Sequence, residues 1–118
     1  MAERPLQPLD AASSEAGRQR CVELGLPPSP GMIRALSLSS FASHVAGQQT
    51  DWLAEAMAAG TFDKPVDIAG CSRWLTTELA TLADLPAVKR LLRRARNRCQ
   101  FHLVYRHVAG LAPYAEIV

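Results

Sequence analysis

The sequence holds little of what catalysis, metal binding or membrane insertion requires. Its 118 residues include seven aromatic side chains and three cysteines. Cys21, Cys71 and Cys99 lack the short spacing of a thiolate zinc site or a disulfide framework. No run of about 20 apolar residues could span a bilayer, and the N-terminus lacks the apolar core of a signal peptide. We therefore expect a reduced, cytoplasmic protein.

Strands are not expected either, because no alternation of apolar and polar residues extends beyond a few positions. Apolar residues make up 48% of the chain, with alanine and leucine dominant, and this composition is typical of helices. The candidate helix boundaries are N-caps at Asp10, Ser29, Ser39 or Ser40, Thr50, Asp67 and Asp84, and left-handed stops at Gly60 and Gly110. The sequence predicts an all-α fold, a small bundle of about four helices.

The prolines divide the chain into two parts. Met1–Gly31 holds five of the eight prolines, so we interpret residues 1–29 as a Pro/Ala-rich mobile arm. At most a short helix from Asp10 to about Leu24 fits within it. Residues 30–118 form the helical segment. The sequence ends on Ile117 and Val118 with nothing polar after them, which predicts a shortened version of a longer protein.

Positive charge is concentrated near the C-terminus. Residues 1–87 hold six Lys/Arg and ten Asp/Glu, whereas Val88–Leu111 holds seven Lys/Arg and no acid. On a helix these cations flank both sides of an apolar stripe instead of forming one basic face. No aromatic residue lies between Lys89 and Arg98 to stack on bases. We therefore rank nucleic-acid binding third among the candidate functions and expect the acidic surplus of residues 1–87 to neutralise much of this helix.

Beyond Gln100 the last helix becomes apolar on every side. The apolar residues that point away from its stripe are Phe101, Val104, Tyr105 and Val108. A helix with an apolar circumference is buried on more than one side, so we expect protein outside this chain to cover this end. Arg106 lies on the stripe, where an unpaired charge costs several kcal/mol. We predict that it pairs with Glu78 or with an acid of another domain.

The stretch "LLRRARNRCQFHLVYRHVAGL" resembles the segment "LRRFRRREMLRIAWRDLAGL" of the bacterial glutamine synthetase adenylyltransferases, also called glutamate–ammonia-ligase adenylyltransferase/adenylyl-removing enzymes. "SFASHVAGQQTDWL" is similar to another stretch of that family, with Phe41, Trp52 and Leu53 in matching places. "RWLTTELATLADLPAVKRLLRR" resembles the Trp-Leu…Leu-x-x-Leu-Arg-Arg pattern with which the family enters the first segment. Where the family has Phe, Arg, Trp and Asp, this chain has Ala95, His102, Tyr105 and His107. The resemblance covers roughly residues 33–111.

This resemblance implies the N-terminal helical portion of a nucleotidyltransferase that adenylylates and deadenylylates glutamine synthetase in nitrogen regulation. The full-length family enzymes use ATP and Mg²⁺ and interact with glutamine synthetase and a PII signalling protein. Their catalytic signature is a "GxGKLGxxEL" loop followed by an Asp-x-Asp metal pair, and neither occurs in these 118 residues. We therefore expect no catalytic, cofactor or metal residue in this segment, and a downstream nucleotidyltransferase domain as its partner.

The residues that we assign to contact with that domain are Arg94, Arg98, Phe101, Tyr105 and Arg106. Cys99 and His102 lie one turn apart, but two ligands are a weak metal signal because zinc sites take three or four. Trp52 and Trp74 lie on apolar stripes, where we expect them in the core. Two alternatives remain open: a stand-alone helical protein-interaction module and a basic-helix nucleic-acid binder.

Overall fold

A computed structural model of the protein describes residues 9–110, which form six α-helices, one 3₁₀ turn and no strand. The elements are α1 (Ala11–Leu24), α2 (Pro30–Leu38), α3 (Ser40–Gln48), α4 (Thr50–Ala58), the 3₁₀ turn Thr61–Asp63, α5 (Ile68–Leu79) and α6 (Leu85–Val108). The all-α class is confirmed, whereas the expected number of about four helices was too low. The apolar pattern runs on across single-residue breaks at Ser39 and Gln49, which separate α2, α3 and α4.

Local side-chain hydrogen bonds begin most of the helices where the sequence predicts. The side chains that each accept a hydrogen bond from the backbone N–H three residues further on are Asp10, Ser29, Ser39, Asp67 and Asp84. Such a cap typically contributes about 1 kcal/mol. The predicted cap at Thr50 is wrong, because this residue lies inside α4 and its hydroxyl donates to the Ala46 carbonyl at 2.7 Å.

The first helix is part of the packed fold. Helix α1 lies along α2, and it buries Cys21 completely, while Leu26 just beyond it is 4% exposed. The expectation of a mobile arm over residues 1–29 therefore does not describe Ala11–Leu24, because this helix contributes side chains to the core. Residues 1–8 of the expected arm lie outside the described residues.

Gly17→Ala tests the close approach of α1 and α2. A Cβ at this position would meet the backbone carbonyl of Ile33, which cannot turn aside as a side chain can. Overpacking costs about 1–3 kcal/mol and alanine regains up to about 1 kcal/mol in a helix. We therefore expect urea denaturation to show a net loss of about 1–2 kcal/mol in the free energy of unfolding.

Gly47→Ala in α3 is the matched control, because its Cβ would meet only the flexible Arg20 guanidinium. We expect this variant to be as stable as the parent chain or slightly more stable. A similar loss in both variants would show that the contact between Gly17 and Ile33 has no particular weight.

The core joins α1, α2, α3, α4, the 3₁₀ turn and the C-terminal half of α6. An aromatic cluster lies at its centre, with neighbouring ring centroids 5.0–6.3 Å apart. Its members are Trp52, Phe62, Phe101 and Tyr105. Phe62 belongs to the 3₁₀ turn and is 3% exposed. Edge-to-face and offset ring pairs contribute about 0.5–1.5 kcal/mol each beyond the area they bury, so this cluster helps to hold α6 against α4 and the 3₁₀ turn.

The chain itself covers the apolar end of α6. Phe101 is 0% exposed and Tyr105 is 8% exposed, while Val104 and Val108 pack against the same core. Our expectation that protein outside the chain must cover this end was wrong, since α2, α3 and the 3₁₀ turn supply the cover. The prediction of a shortened protein rests on Ile117 and Val118, which lie outside the described residues.

The N-terminal half of α6 is far more open. Two large apolar side chains of this half, Leu85 and Leu92, remain 63% and 46% exposed. Helix α5 packs against the middle of α6, where Trp74 meets Arg98 and Cys71 meets Cys99, and it buries none of its own residues fully. Helix α6 therefore has a buried end that stabilises the fold and an exposed end that faces outward.

Candidate functional site

Five residues in the first half of α6 form one exposed face, named the Leu92 face: Leu85, Lys89, Leu92, Arg93 and Arg96. At 3.6 residues per turn they fall within an arc of about 100°, and all five are exposed. Leu92 and the three cations line a shallow hollow of about 340 Å³. The result is an apolar centre with a cationic rim.

No carboxylate of residues 9–110 forms an ion pair with the Leu92 face. Between residues 9 and 110 the structure describes a single ion pair, in which Arg20 Nη1 lies 3.4 Å from Glu23 Oε2 within α1. The expected neutralisation of this helix by the acids of residues 1–87 therefore does not take the form of ion pairs at this face within residues 9–110. Several of those carboxylates act instead as helix caps, including Asp67 and Asp84.

Arg98 lies on the other side of α6 and is held between two tryptophan rings. Its Cζ is 5.2 Å from the ring centroid of Trp52 and 4.7 Å from that of Trp74, and its Nε donates to Gln49 Oε1 at 2.7 Å. Burial and the charge of Arg94 lower the pKa of this guanidinium, while Glu78 opposes the shift. Arginine remains protonated in proteins, so Arg98 is a fixed cation that joins α4, α5 and α6.

A second hollow, of about 430 Å³, lies between α6 and the junction of α3 and α4. Its lining residues are Gln48, Gln49, Thr50, Asp51, Trp52, Arg94 and Arg98. Arg94 is exposed at its edge, whereas Arg98 is already engaged by Trp52 and Gln49. The hollow offers polar binding groups, chiefly amides and guanidinium groups.

Two polar residues at the buried end of α6 bind backbone carbonyls of the segment after α4. Arg106 is 5% exposed, and its Nη1 donates to the Phe62 carbonyl at 3.2 Å. His102 Nε2 lies 2.7 Å from the Lys64 carbonyl, so Nε2 carries the proton and donates it. The partner of Arg106 in this hydrogen bond is a carbonyl, whereas the predicted partner Glu78 lies close enough to Arg98 to act on its charge.

The structure brings together two cysteines that the sequence left unconnected. Cys99 Sγ lies 3.6 Å from Cys71 Sγ, and neither is in a disulfide. Cys99 and His102 gain no third potential metal ligand within residues 9–110, which contain no group of three or more such side chains. The missed signal was that Cys71 and Cys99 lie on the apolar stripes of consecutive helices, which pack on each other.

The five residues assigned to interdomain contact divide into two groups. Phe101, Tyr105 and Arg106 are buried by the chain's own residues, so they do not have the exposure that contact with a separate domain requires. Arg94 and Arg98 line the larger hollow, and for them the assignment stays a prediction. Sequence reasoning missed the Leu92 face, although its spacing at positions 85, 89, 92, 93 and 96 could have revealed it.

Comparisons with protein-family models, with curated proteins and with solved structures find no match to this chain. Among the helices between residues 9 and 110, none combines the length and the apolar character needed to cross a bilayer. The function is therefore inferred from the exposed groups of α6 and from the sequence resemblance.

Proposed function

We propose that this chain is the non-catalytic N-terminal helical portion of a glutamine synthetase adenylyltransferase/adenylyl-removing enzyme. In this proposal its Leu92 face docks on an acidic surface of the nucleotidyltransferase domain. The supporting observation is a face with three cations and two leucines exposed to solvent, without carboxylate partners among residues 9–110. The resemblance over residues 33–111 supplies the identity of the partner. ATP, Mg²⁺, glutamine synthetase and the PII protein belong to the full-length enzyme.

The two leucines favour a protein partner over a nucleic acid. Protein interfaces combine an apolar centre with a polar rim, and Leu92 and Leu85 are 46% and 63% exposed. A single-stranded nucleic acid would need aromatic rings under its bases as well as cations at its phosphates. The Leu92 face has no aromatic residue, and both tryptophans are already in contact with Arg98.

Calorimetric titration of the full chain with a purified nucleotidyltransferase domain of this family tests the proposal. Replacing Lys89, Arg93 and Arg96 together by Glu is expected to weaken binding about 100-fold, because like charges would then face each other. Leu92→Asp should weaken it by at least about tenfold. Binding of the parent chain should also fall as salt rises from about 50 to 200 mM.

Arg90→Glu is the matched control, since Arg90 is an exposed cation of α6 outside the Leu92 face. Its affinity is expected to change by less than about threefold. The proposal is contradicted if the parent chain does not bind the domain, or if Arg90→Glu loses as much as the triple variant. A chain that ignores the domain but retains a DNA duplex at about 200 mM salt would instead support a nucleic-acid interface.

A stand-alone helical interaction module is the second candidate, and the internal cover of α6 favours it. With Phe101 at 0% and Tyr105 at 8% exposure, the last helix needs no further domain to complete its burial. For this candidate the isolated chain should be monomeric in sedimentation velocity and should unfold in one cooperative urea transition. Self-association through the Leu92 face, or unfolding in separate steps, would favour the enzyme segment.

A further inference from the structure

We infer that Cys71 and Cys99 are a redox modification site, at which a peroxide oxidant forms a reversible disulfide that joins α5 to α6. The two Sγ atoms lie 3.6 Å apart, and both side chains are free and partly exposed. This site is independent of the Leu92 face and of the proposed docking partner.

The geometry needs only a small adjustment to make the bond. A disulfide joins its sulfurs at about 2.0 Å, so the two Sγ atoms must approach by about 1.5 Å. Cys71 and Cys99 lie on helices that already pack on each other. Helix α5 buries no residue fully, so it has more freedom to move than the helices around the core. Cys21 is completely buried and has no cysteine beside it.

The reaction balances with hydrogen peroxide as the oxidant. One thiol loses its proton, and its sulfur attacks a peroxide oxygen; the O–O bond breaks, a sulfenic acid forms and the departing hydroxide takes the proton as water. The second thiol then loses its proton and attacks the sulfenic sulfur. The S–O bond breaks, the S–S bond forms and a second water leaves. Two electrons pass from the sulfurs to the peroxide, and a small dithiol reverses the step by exchange.

The local environment makes disulfide formation between Cys71 and Cys99 slow at neutral pH. Burial, together with its contact to Cys71, raises the pKa of the Cys99 thiol to about 11. The thiolate is the nucleophile in both steps, and the thiolate fraction of such a group rises about 100-fold between pH 7 and pH 9. Bridge formation should therefore accelerate by at least about tenfold over that interval.

The bridge would stabilise the weakly held helix. Cys71 and Cys99 are 28 positions apart, and closing a loop of this size limits the unfolded chain. We expect the melting temperature of the oxidised chain to exceed that of the reduced chain by about 5–10 °C. This measurement needs no substitution, so it does not depend on how any variant folds.

Intact-mass spectrometry of the reduced full chain after exposure to hydrogen peroxide at about pH 8 tests the inference. The monomer should lose about 2 Da, dithiothreitol should restore its mass, and proteolysis should give one peptide pair joined through Cys71 and Cys99. Cys71→Ser and Cys99→Ser should each abolish the loss, whereas Cys21→Ala should retain it. The inference is overturned by a bridge that includes Cys21, by disulfide-linked dimers, by oxygen addition without a bridge, or by no reaction.

Discussion

Phe101→Ala should lower the free energy of unfolding by about 3–5 kcal/mol, the range for removing a fully buried aromatic ring. Phe101 is 0% exposed, and its ring centroid lies 5.5 Å from that of Phe62 and 6.1 Å from that of Trp52. The substitution would leave a cavity where α4, α6 and the 3₁₀ turn meet. Small domains unfold with about 5–15 kcal/mol, so this one side chain accounts for a large share of the total.

Urea denaturation followed by far-UV circular dichroism measures the effect, which should lower the midpoint by about 2 M. Leu92→Ala is the control on the same helix, because Leu92 is 46% exposed and its loss should cost less than about 0.5 kcal/mol. Similar losses in the two variants would mean that the chain does not enclose the C-terminal half of α6.

Phe101 and Leu92 lie on one helix, but the first is expected to matter for stability and the second for binding. Phe101 faces the aromatic cluster, whereas Leu92 faces solvent at the centre of the Leu92 face. A defect in docking caused by Leu92→Asp can therefore be distinguished from unfolding by measuring both properties of the same variant. The three cations of the Leu92 face can likewise be replaced to test binding separately from stability. Lys89, Arg93 and Arg96 are exposed and make no described ion pair.

The sequence predicted most structural features that depend on neighbouring residues, with the cap at Thr50 as the exception. The caps at Ser29, Ser39, Asp67 and Asp84 were predictable because each hydrogen bond joins atoms three residues apart. The left-handed stops were predictable for the same reason, and Gly60 has a φ of 71°. Secondary structure was therefore largely readable from the sequence, and the all-α class followed from it.

The burial of the C-terminal half of α6 could not be predicted from the sequence, because the residues that bury it are distant along the chain. Phe62 lies in the 3₁₀ turn between α4 and α5, and no helical periodicity marked it as a core residue. Its carbonyl meets Arg106 across 44 positions of sequence. An apolar circumference predicts burial on several sides but does not say which polypeptide supplies the cover, and here the same chain supplies it.

The sequence singled out several residues of the candidate site, but it did not predict which residues they contact. Trp52 and Trp74 were expected in the core, and both are only partly buried, with Arg98 between them. The approach of Cys71 to Cys99 required knowledge of how α5 and α6 are paired and in which register. Helical periodicity gives the stripe on which each residue lies, whereas the register between two stripes depends on the packing of the whole bundle.

Arg106→Met is the second substitution with a large expected effect, a loss of about 2–3 kcal/mol in the free energy of unfolding. Methionine is close to arginine in length and fills much of the same space, but it has no N–H to donate. The Phe62 carbonyl, which accepts from Arg106 Nη1 at 3.2 Å, would lose that donor in an enclosed place. Hydrogen bonds to charged groups contribute about 1.5–3 kcal/mol, and a buried acceptor left without its donor adds to the loss.

The opposing effect is the desolvation of the guanidinium, because replacing a buried charge by an apolar side chain is sometimes neutral or stabilising. We expect the hydrogen bond to prevail at Arg106, because it ties α6 to the backbone of the turn that holds Phe62. Arg106→Lys, which keeps the charge and one donor, should recover part of the loss, and Arg90→Met on the exposed side of α6 should change little. Equal urea midpoints for Arg106→Met and the parent chain would show that this arginine is tolerated in the core without stabilising it.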